Sequence, residues 1–259
     1  MTLTSDQDNG IIFDAPKEGL ASQQAEKYFR SWADMVCGWM NDAGYRFCPG
    51  DVMATNPRWR QPLDVWKEYF RRWVRTAEPQ ELLDFATFFD FRAVWGEAAL
   101  TRELRRVVRD ELLAAPAFFG HFAQSALQFR PPLRVFGRVL GASEAGLDLK
   151  EAAMAVTAWA RLYALRHDVA ETGTLARLEA LGASDVLPEA SVQEAIEAYE
   201  SLMRIRLRHQ WPLHEDRQPA NLVSPARMTR TEESLLRSAF AQITAMQKRI
   251  SYDFLGGQS

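Results

Sequence analysis

Helical periodicity over most of the chain is the feature that most limits how this sequence can fold. Apolar residues recur at intervals of three to four, the pattern of helices that bury one face. The segments with this pattern are 22–42, 63–74, 97–113, 147–166, 172–181, 191–209 and 229–252. Strand signals occur only early, at 10–13 and 45–48. The sequence therefore predicts an α+β fold that is mostly α-helical.

A proline pair divides the chain into two predicted domains. Arg130 precedes Pro131 and Pro132, and proline neither continues a helix nor allows the residue before it to be helical at no cost. Both strand segments lie before this point, and only helical segments follow it. We therefore expect an incomplete α/β domain over 1–128 and an all-helical domain over 129–259.

Local signals refine the helical half. The spacing of Ser191 and Glu194 predicts a capping box at a helix start. The polar, proline-bearing interval 211–225 predicts a long surface loop. The longest stretch without Asp, Glu, Lys or Arg is 112–129, which Pro116 and several polar residues interrupt. We expect this stretch to be a buried helix rather than a membrane span.

Composition narrows the classes of partner and compartment. A net charge of −3 argues against a general nucleic-acid binder, because such domains carry a cationic field, and we expect no DNA partner. The two cysteines, Cys37 and Cys48, form neither a disulfide framework nor a zinc-ligand pattern. We expect a cytoplasmic protein that does not enter the membrane.

Two carboxylates at the start of the chain have metal-ligand spacing. Side chains alternate in extended backbone, so Asp6 and Asp8 point the same way with Cα atoms about 7 Å apart. Such a pair can bind Mg²⁺, which offsets phosphate charge in phosphoryl or nucleotidyl transfer. The same spacing also occurs in solvated turns before strands. The spacing alone leaves both interpretations open.

Eight segments, in order, resemble a known family. They are TSDQDN at 4–9, CPGDVMATNPRW at 48–59, FFDFR at 88–92, FRPPL at 129–133, LDLK at 147–150, ARLYAL at 160–165, TLARL at 174–178 and RLRHQ at 206–210. Together they resemble the nucleotidyltransferases found beside CBS and cyclic-nucleotide-binding modules in bacterial signal-transduction proteins. That family is similar to the protein-PII uridylyltransferases and, more remotely, to the polymerase-beta type nucleotidyltransferase fold.

The resemblance implies Mg²⁺-dependent transfer of a nucleotidyl group from an NTP to a hydroxyl acceptor, such as one on a regulatory protein. It assigns Asp6 and Asp8 to the metal. A third carboxylate normally serves as base for the attacking hydroxyl, and Asp51 and Asp90 are the candidates. Asp90 is also explained by a structural ion pair with Arg92 or another nearby arginine.

Four cations are candidates for contacts with the nucleotide. The guanidinium forks of Arg58 and Arg60 suit a triphosphate, and Lys150 and Arg161 coincide with family motifs in the helical half. A structural explanation is also open for each, since Arg58 and Arg60 adjoin an amphipathic helix and helix residues often form ion pairs. Stacking of RNA bases on the neighbouring tryptophans is a third interpretation.

One family feature does not occur in the sequence. In the resembled fold, a Gly-Ser turn upstream of the Asp pair holds the triphosphate with backbone amides. We therefore expect an amino-terminally truncated member that binds NTP weakly or not at all. The alternatives are a catalytically inactive fragment, a regulatory or binding helical module, and an RNA-binding helical protein. We also expect 10–13 to expose a sheet edge that favours a homodimer.

Overall fold

The predicted helices form in the computed structural model, which describes residues 5–15, 20–128, 131, 147–213, 222–224 and 227–256. The chain divides into two compact units, Met1–Ala115 and Pro116–Ser259. Both are mainly helical with a few short strands, so the predicted α+β, mostly helical class is confirmed. Arg130 and Pro132, which carry the predicted junction, lie outside the described residues.

The first unit contains two small parallel sheets and four helices among its described residues. Its elements are β1 (Asp6–Gln7), β2 (Ile11–Phe13), α1 (Leu20–Asp42), β3 (Arg46–Phe47), a 3₁₀ turn (Pro57–Trp59), β4 (Arg60–Pro62), α2 (Leu63–Thr76), α3 (Pro79–Phe88) and α4 (Ala98–Ala114). β1 pairs with β3, Asp6 opposite Arg46, and β2 pairs with β4, Ile11 opposite Arg60.

An aromatic core supports these sheets. The apolar positions of α2 recur at three to four residues, which puts Trp66, Phe70 and Trp73 on one buried face. The Trp59 ring packs against Phe88 at 4.4 Å between centroids. A Cβ on Gly10 would lie 2.9 Å from the carbonyl oxygen of Trp59. Only glycine allows this close approach of the backbone ahead of β2.

The second unit is a helical bundle with one short antiparallel ladder. Its elements are α5 (Ala117–Ala126), β5 (Leu147–Asp148), α6 (Leu149–Arg166), α7 (Thr174–Ala183), α8 (Glu189–Leu213), β6 (Leu222–Val223) and α9 (Arg230–Leu255). β5 pairs with β6, Leu147 opposite Val223. Small buried residues such as Ala152, Ala155 and Ala160 allow α5, α7, α8 and α9 to pack on α6.

The structure tests two local predictions for the second unit, the capping box at Ser191 and the loop 211–225. The capping box at Ser191 is wrong, because α8 already begins at Glu189. A capping box forms instead on α9, where the Glu232 amide donates to Thr229 Oγ1 at 3.2 Å and the Thr229 amide donates to Glu232 Oε2 at 2.8 Å. The predicted loop 211–225 is shortened, since α8 reaches Leu213 and β6 covers Leu222–Val223; residues 214–221 and 225–226 lie outside the described part.

The stretch 112–129 contains the predicted buried helix, α5, whose Phe118, Phe122 and Ala123 are buried. Pro116 separates it from α4. Among the described residues, no helix combines the length and the apolar character needed to cross a bilayer.

Candidate active site

In β1 and the two residues after it, exposed carboxylates alternate with amide side chains that are less exposed. Asp6 and Asp8 are exposed, whereas Gln7 is 2% exposed and Asn9 is half-buried. This alternation of burial is what extended backbone produces. A common orientation of Asp6 and Asp8 toward one metal ion stays a prediction.

Gln7 anchors the inward side of the strand. Its Nε2 donates to the carbonyl oxygens of Cys37 on α1 and Tyr45 before β3, each at 3.0 Å. Its Oε1 accepts from Asn9 Nδ2 at 3.2 Å. A buried amide with its hydrogen bonds satisfied fixes geometry, because leaving any partner unpaired is costly. β1 is thus held at a set position against α1 and β3.

Asn9 connects β1 to the loop that follows β3. Its backbone N–H donates to the Val52 carbonyl at 3.1 Å. Its Oδ1 accepts from the Ala54 N–H at 2.9 Å and from Cys37 Sγ at 3.5 Å. The loop 48–56 is therefore fixed beside the end of β1, where Asp8 is exposed.

Asp51 occupies a constrained position in this loop. Its φ of 55° is left-handed, a region that aspartate enters more readily than most residues. Asn56 Nδ2 donates to its backbone oxygen at 3.2 Å and to its Oδ2 at 2.9 Å, and Trp59 Nε1 donates to its backbone oxygen at 3.1 Å. The exposed carboxylate of Asp51 thus has a defined orientation.

Cys48 lies next to Asp8 at the carboxyl ends of β1 and β3. It follows Phe47, which is opposite Gln7 in the parallel register. Burial, and then a hydrogen bond and the charge from Asp8, raise the pKa of the Cys48 thiol. The sulfur therefore remains a protonated neighbour of the carboxylate.

The two arginines predicted to contact a triphosphate differ in environment. Arg60 is 2% exposed; its Nη1 donates to the carbonyls of Ala54 and Thr55, and its Nη2 pairs with Glu26 at 2.7 Å. It thus holds the loop onto α1. Arg58 is 41% exposed, pairs with Asp84 and lies 4.4 Å from the centroid of the Trp59 ring.

Asp90, the other carboxylate candidate, is half-buried in the turn after α3. It does not belong to the loops that follow β1 and β3. The buried carboxylate of this region is Asp84, which is 7% exposed and accepts from Arg58 and from Gln80 Nε2, the latter at 3.0 Å. Asp84 thus forms a buried carboxylate–arginine pair with Arg58. A catalytic role of Asp90 stays a prediction.

Lys150 and Arg161 lie in the second unit, on α6. Eleven residues make about three helical turns, so the two side chains share one face. Lys150 is exposed and Arg161 is half-buried. Asp148 caps the helix, with Oδ1 accepting from the Lys150 N–H at 2.8 Å. The remaining site candidates, Asp6, Asp8, Asp51, Asp90, Arg58 and Arg60, all belong to the first unit.

Sequence reasoning missed the residues that hold the site. Gln7 and Asn9 alternate with the two aspartates, and amides at the inward positions of a strand require buried partners. That alternation was the available signal. Asn56 gave no comparable signal, because its role depends on the folded path of the loop.

Two family models match the chain. A family model described as "Putative nucleotidyltransferase DUF294" matches residues 1–80, the part that contains β1 and the loop 48–56. A second model, "Putative nucleotidyltransferase substrate binding domain", matches residues 116–254. No curated protein and no solved structure matches the chain. The second match alone covers more than half of the sequence, and the chain belongs to the family described as putative nucleotidyltransferase.

Proposed function

We propose that the chain transfers a nucleotidyl group from an NTP to a hydroxyl acceptor, with Asp6 and Asp8 as ligands of Mg²⁺. One observation supports this most directly. The segment of β1 and the two residues after it carries both exposed carboxylates, and the hydrogen bonds of Gln7 and Asn9 hold this segment in place. A preorganised pair of this kind suits a site that must place phosphates accurately.

The donor set fits magnesium. Mg²⁺ prefers oxygen ligands and commonly binds through one or two carboxylates, with waters and substrate phosphates as the remaining ligands. Asp6, in β1, and Asp8, just after it, are both exposed and would provide such a pair. The described residues bring together no group of three or more His, Cys, Asp or Glu side chains that could hold a metal ion. When bound, the ion would offset charge on the phosphates and on the departing pyrophosphate.

Asp51 is the proposed base. Its exposed carboxylate would accept the proton of the acceptor hydroxyl as that oxygen forms its bond to the α-phosphorus and the bond to pyrophosphate breaks. Asn56 links Asp51 to Arg58, because its Oδ1 accepts from the Arg58 N–H at 2.9 Å while its Nδ2 donates to Asp51. Arg58, partly exposed, is better placed than buried Arg60 to contact a phosphate.

We assign substrate binding to the second unit, as the description of its matching family indicates. The face of α6 that carries Lys150 and Arg161 would contact an anionic part of the nucleotide or of the acceptor. A regulatory protein remains the acceptor we propose, in keeping with the cytoplasmic signalling role expected from the sequence.

Calorimetry with Mg-ATP and Mg-UTP tests the proposal. We expect weak, Mg²⁺-dependent binding of at least one nucleotide, reduced tenfold or more in Asp8→Asn because a metal ligand is lost. Asp42→Asn, at an exposed aspartate that ends α1, is the matched control and should bind as the wild type does. Binding that Asp8→Asn leaves intact would refute the metal assignment, and so would the absence of binding at millimolar nucleotide.

A non-catalytic nucleotide-binding module is the second candidate. The observation in its favour is that Arg60, one of the two arginines considered for the triphosphate, has its guanidinium inside the core. An assay for pyrophosphate release from Mg-NTP distinguishes the proposed enzyme from a binding module. The proposed enzyme releases pyrophosphate and loses this activity in Asp51→Asn, whereas a binding module binds nucleotide without release.

A further inference from the structure

α1 carries a second apolar face that its own unit leaves exposed. Its inward face is accounted for, since Ala33 and Cys37 are buried. On the outward face, Tyr28 is 63%, Met35 45% and Trp39 62% exposed. Single exposed apolar residues are ordinary, but a continuous patch of this kind typically marks an interaction site.

These residues form a single stripe, which we call the α1 stripe: Tyr28, Trp32, Met35 and Trp39. At 3.6 residues per turn, the four positions lie within about 60° of one another around the helix. Trp32 is half-buried and its ring lies 5.6 Å from that of Trp95, which is itself 80% exposed. Trp95 therefore extends the stripe sideways.

We propose that the α1 stripe is a homodimer interface in which α1 packs antiparallel on α1 of a second copy. The intervals between its residues are four, three and four, so the pattern reads the same in both directions. A two-fold axis between Trp32 and Met35 brings Tyr28 against Trp39 of the other copy and Trp32 against Met35. A two-fold interface requires this kind of self-complementary patch.

One pair of opposite charges on the same flank of the stripe favours the antiparallel orientation. Lys27 lies in the first half of α1, and Asp42 ends the helix. Both are exposed. The proposed axis brings Lys27 within one helical turn of Asp42 of the other copy, whereas a parallel pair places like charges together. Such pairs select orientation more than they add affinity.

The exposed apolar area of the α1 stripe indicates how strongly two copies should associate. A large aromatic side chain buries on the order of 150 Å² or more, so the exposed parts of the α1 stripe and Trp95 supply roughly 500 Å² per copy. The total of roughly 1,000 Å² is at the lower limit for a specific interface. We therefore infer a weak dimer with a Kd in the micromolar range. This inference is independent of the proposed catalytic activity.

Sedimentation velocity of the full chain between about 1 and 100 μM tests the interface, across the range in which a micromolar Kd changes the mass. The wild type should pass from monomer to dimer, and Trp39→Glu should remain monomeric. Trp211→Glu, at a 72% exposed tryptophan on α8, is the control and should dimerise normally. Circular dichroism confirms that both variants fold. A wild type that stays monomeric, or a Trp39→Glu variant that still dimerises, would overturn the proposal.

Cysteine cross-linking in a Cys48→Ser background tests the orientation. In the antiparallel pair, two copies of residue 35 lie about 5 Å apart along the helix axis and two copies of residue 28 about 16 Å apart. Met35→Cys should therefore form a disulfide-linked dimer under mild oxidation, and Tyr28→Cys should not. Equal cross-linking by both would indicate a parallel pair and contradict the proposed geometry.

Discussion

The two units differ in how they use buried polar groups. In the first, Gln7, Asn9 and Arg60 bind backbone groups of irregular segments and hold β1 and the loop 48–56 in place. In the second, Glu232 joins the start of α9 to the end of α8, through Thr229 and Arg208. The first unit thus positions a site with a few polar side chains, whereas the second joins regular helices.

Apolar packing accounts for most of the second unit. Leu178, Leu181 and Leu202 are fully buried, and α6 is lined with alanines that let its neighbours approach. Burial of this kind is distributed over many residues. We expect substitutions of the polar side chains that hold irregular segments of the first unit to have larger and more local effects than loss of the capping residue of α9.

Arg60→Ala should have the largest effect. It leaves the carbonyls of Ala54 and Thr55 without their buried donor and should cost about 3 kcal/mol of unfolding free energy. Arg106→Ala, at an exposed arginine of α4 that pairs with the exposed Asp110 at 3.3 Å, is the control and should cost about 1 kcal/mol or less. Urea unfolding measures both. Equal costs would show that Arg60 does not hold the loop.

Asn9→Ala comes next, at about 2 kcal/mol, because the Ala54 N–H loses its acceptor in a buried setting. The loss should be local. Hydrogen exchange should accelerate first in residues 51–56 and much less in α2, and Asn41→Ala on α1 should leave the same amides protected. Uniform acceleration across the first unit would contradict the specific role given to Asn9.

The pH dependence of Glu232 tests the second unit. Burial alone would raise its pKa, but hydrogen bonds from Thr229 and the charges of Arg208 and His209 lower it overall. Because the pKa of Glu232 is lower in the folded state, its charged form stabilises the fold at pH values above the unfolded-state pKa of about 4.3. This stabilisation is lost as the pH falls through the folded-state pKa.

Glu232→Gln should therefore be about 1 kcal/mol less stable than the wild type at pH 7, and this difference should be smaller at pH 3, below the unfolded value of about 4.3. Thermal unfolding at both pH values measures the two differences. Glu233→Gln, at the neighbouring glutamate that pairs with Arg237 at 3.6 Å, is the matched control and should cost less than about 0.5 kcal/mol at pH 7. A constant difference from pH 7 to pH 3 would mean that the charge of Glu232 is not what stabilises α9.

The smallest effect is expected at Asp51, where stability and activity should separate. Glycine accepts the left-handed φ of 55°, so Asp51→Gly should change stability by less than about 0.5 kcal/mol, whereas Asp51→Ala should cost about 1 kcal/mol more than glycine does. Both should lose pyrophosphate release. A stable Asp51→Gly variant with full activity would remove Asp51 from the proposed chemistry.

The helices could be read from the sequence because each buries a periodic apolar face. The prediction of 63–74 became Leu63–Thr76, and 97–113 became Ala98–Ala114. β1, β4, β5 and β6 were missed, since none of them lies in an apolar or alternating aromatic run like those at 10–13 and 45–48. Their pairing depends on contacts between distant segments.

For the candidate site, the alternation of Asp6 and Asp8 with amide residues was visible in the sequence, and both aspartates are exposed. What the sequence did not reveal was the environment of each arginine and of the loop. Arg58 and Arg60 are two residues apart, yet one is partly exposed and the other is inside the core. Their difference depends on where Ala54, Thr55 and Glu26 meet.

The most direct test of the account is whether Asp6 and Asp8 bind a divalent cation together. A Mn²⁺ titration followed by electron paramagnetic resonance should show one site in the wild type, lost in Asp6→Asn and in Asp8→Asn and retained in Asp42→Asn. Mg²⁺ should compete for this site and, at about 100 times its Kd, stabilise the wild type by about 2.7 kcal/mol. A wild type that binds no Mn²⁺, or aspartate variants that bind it unchanged, would contradict the central claim.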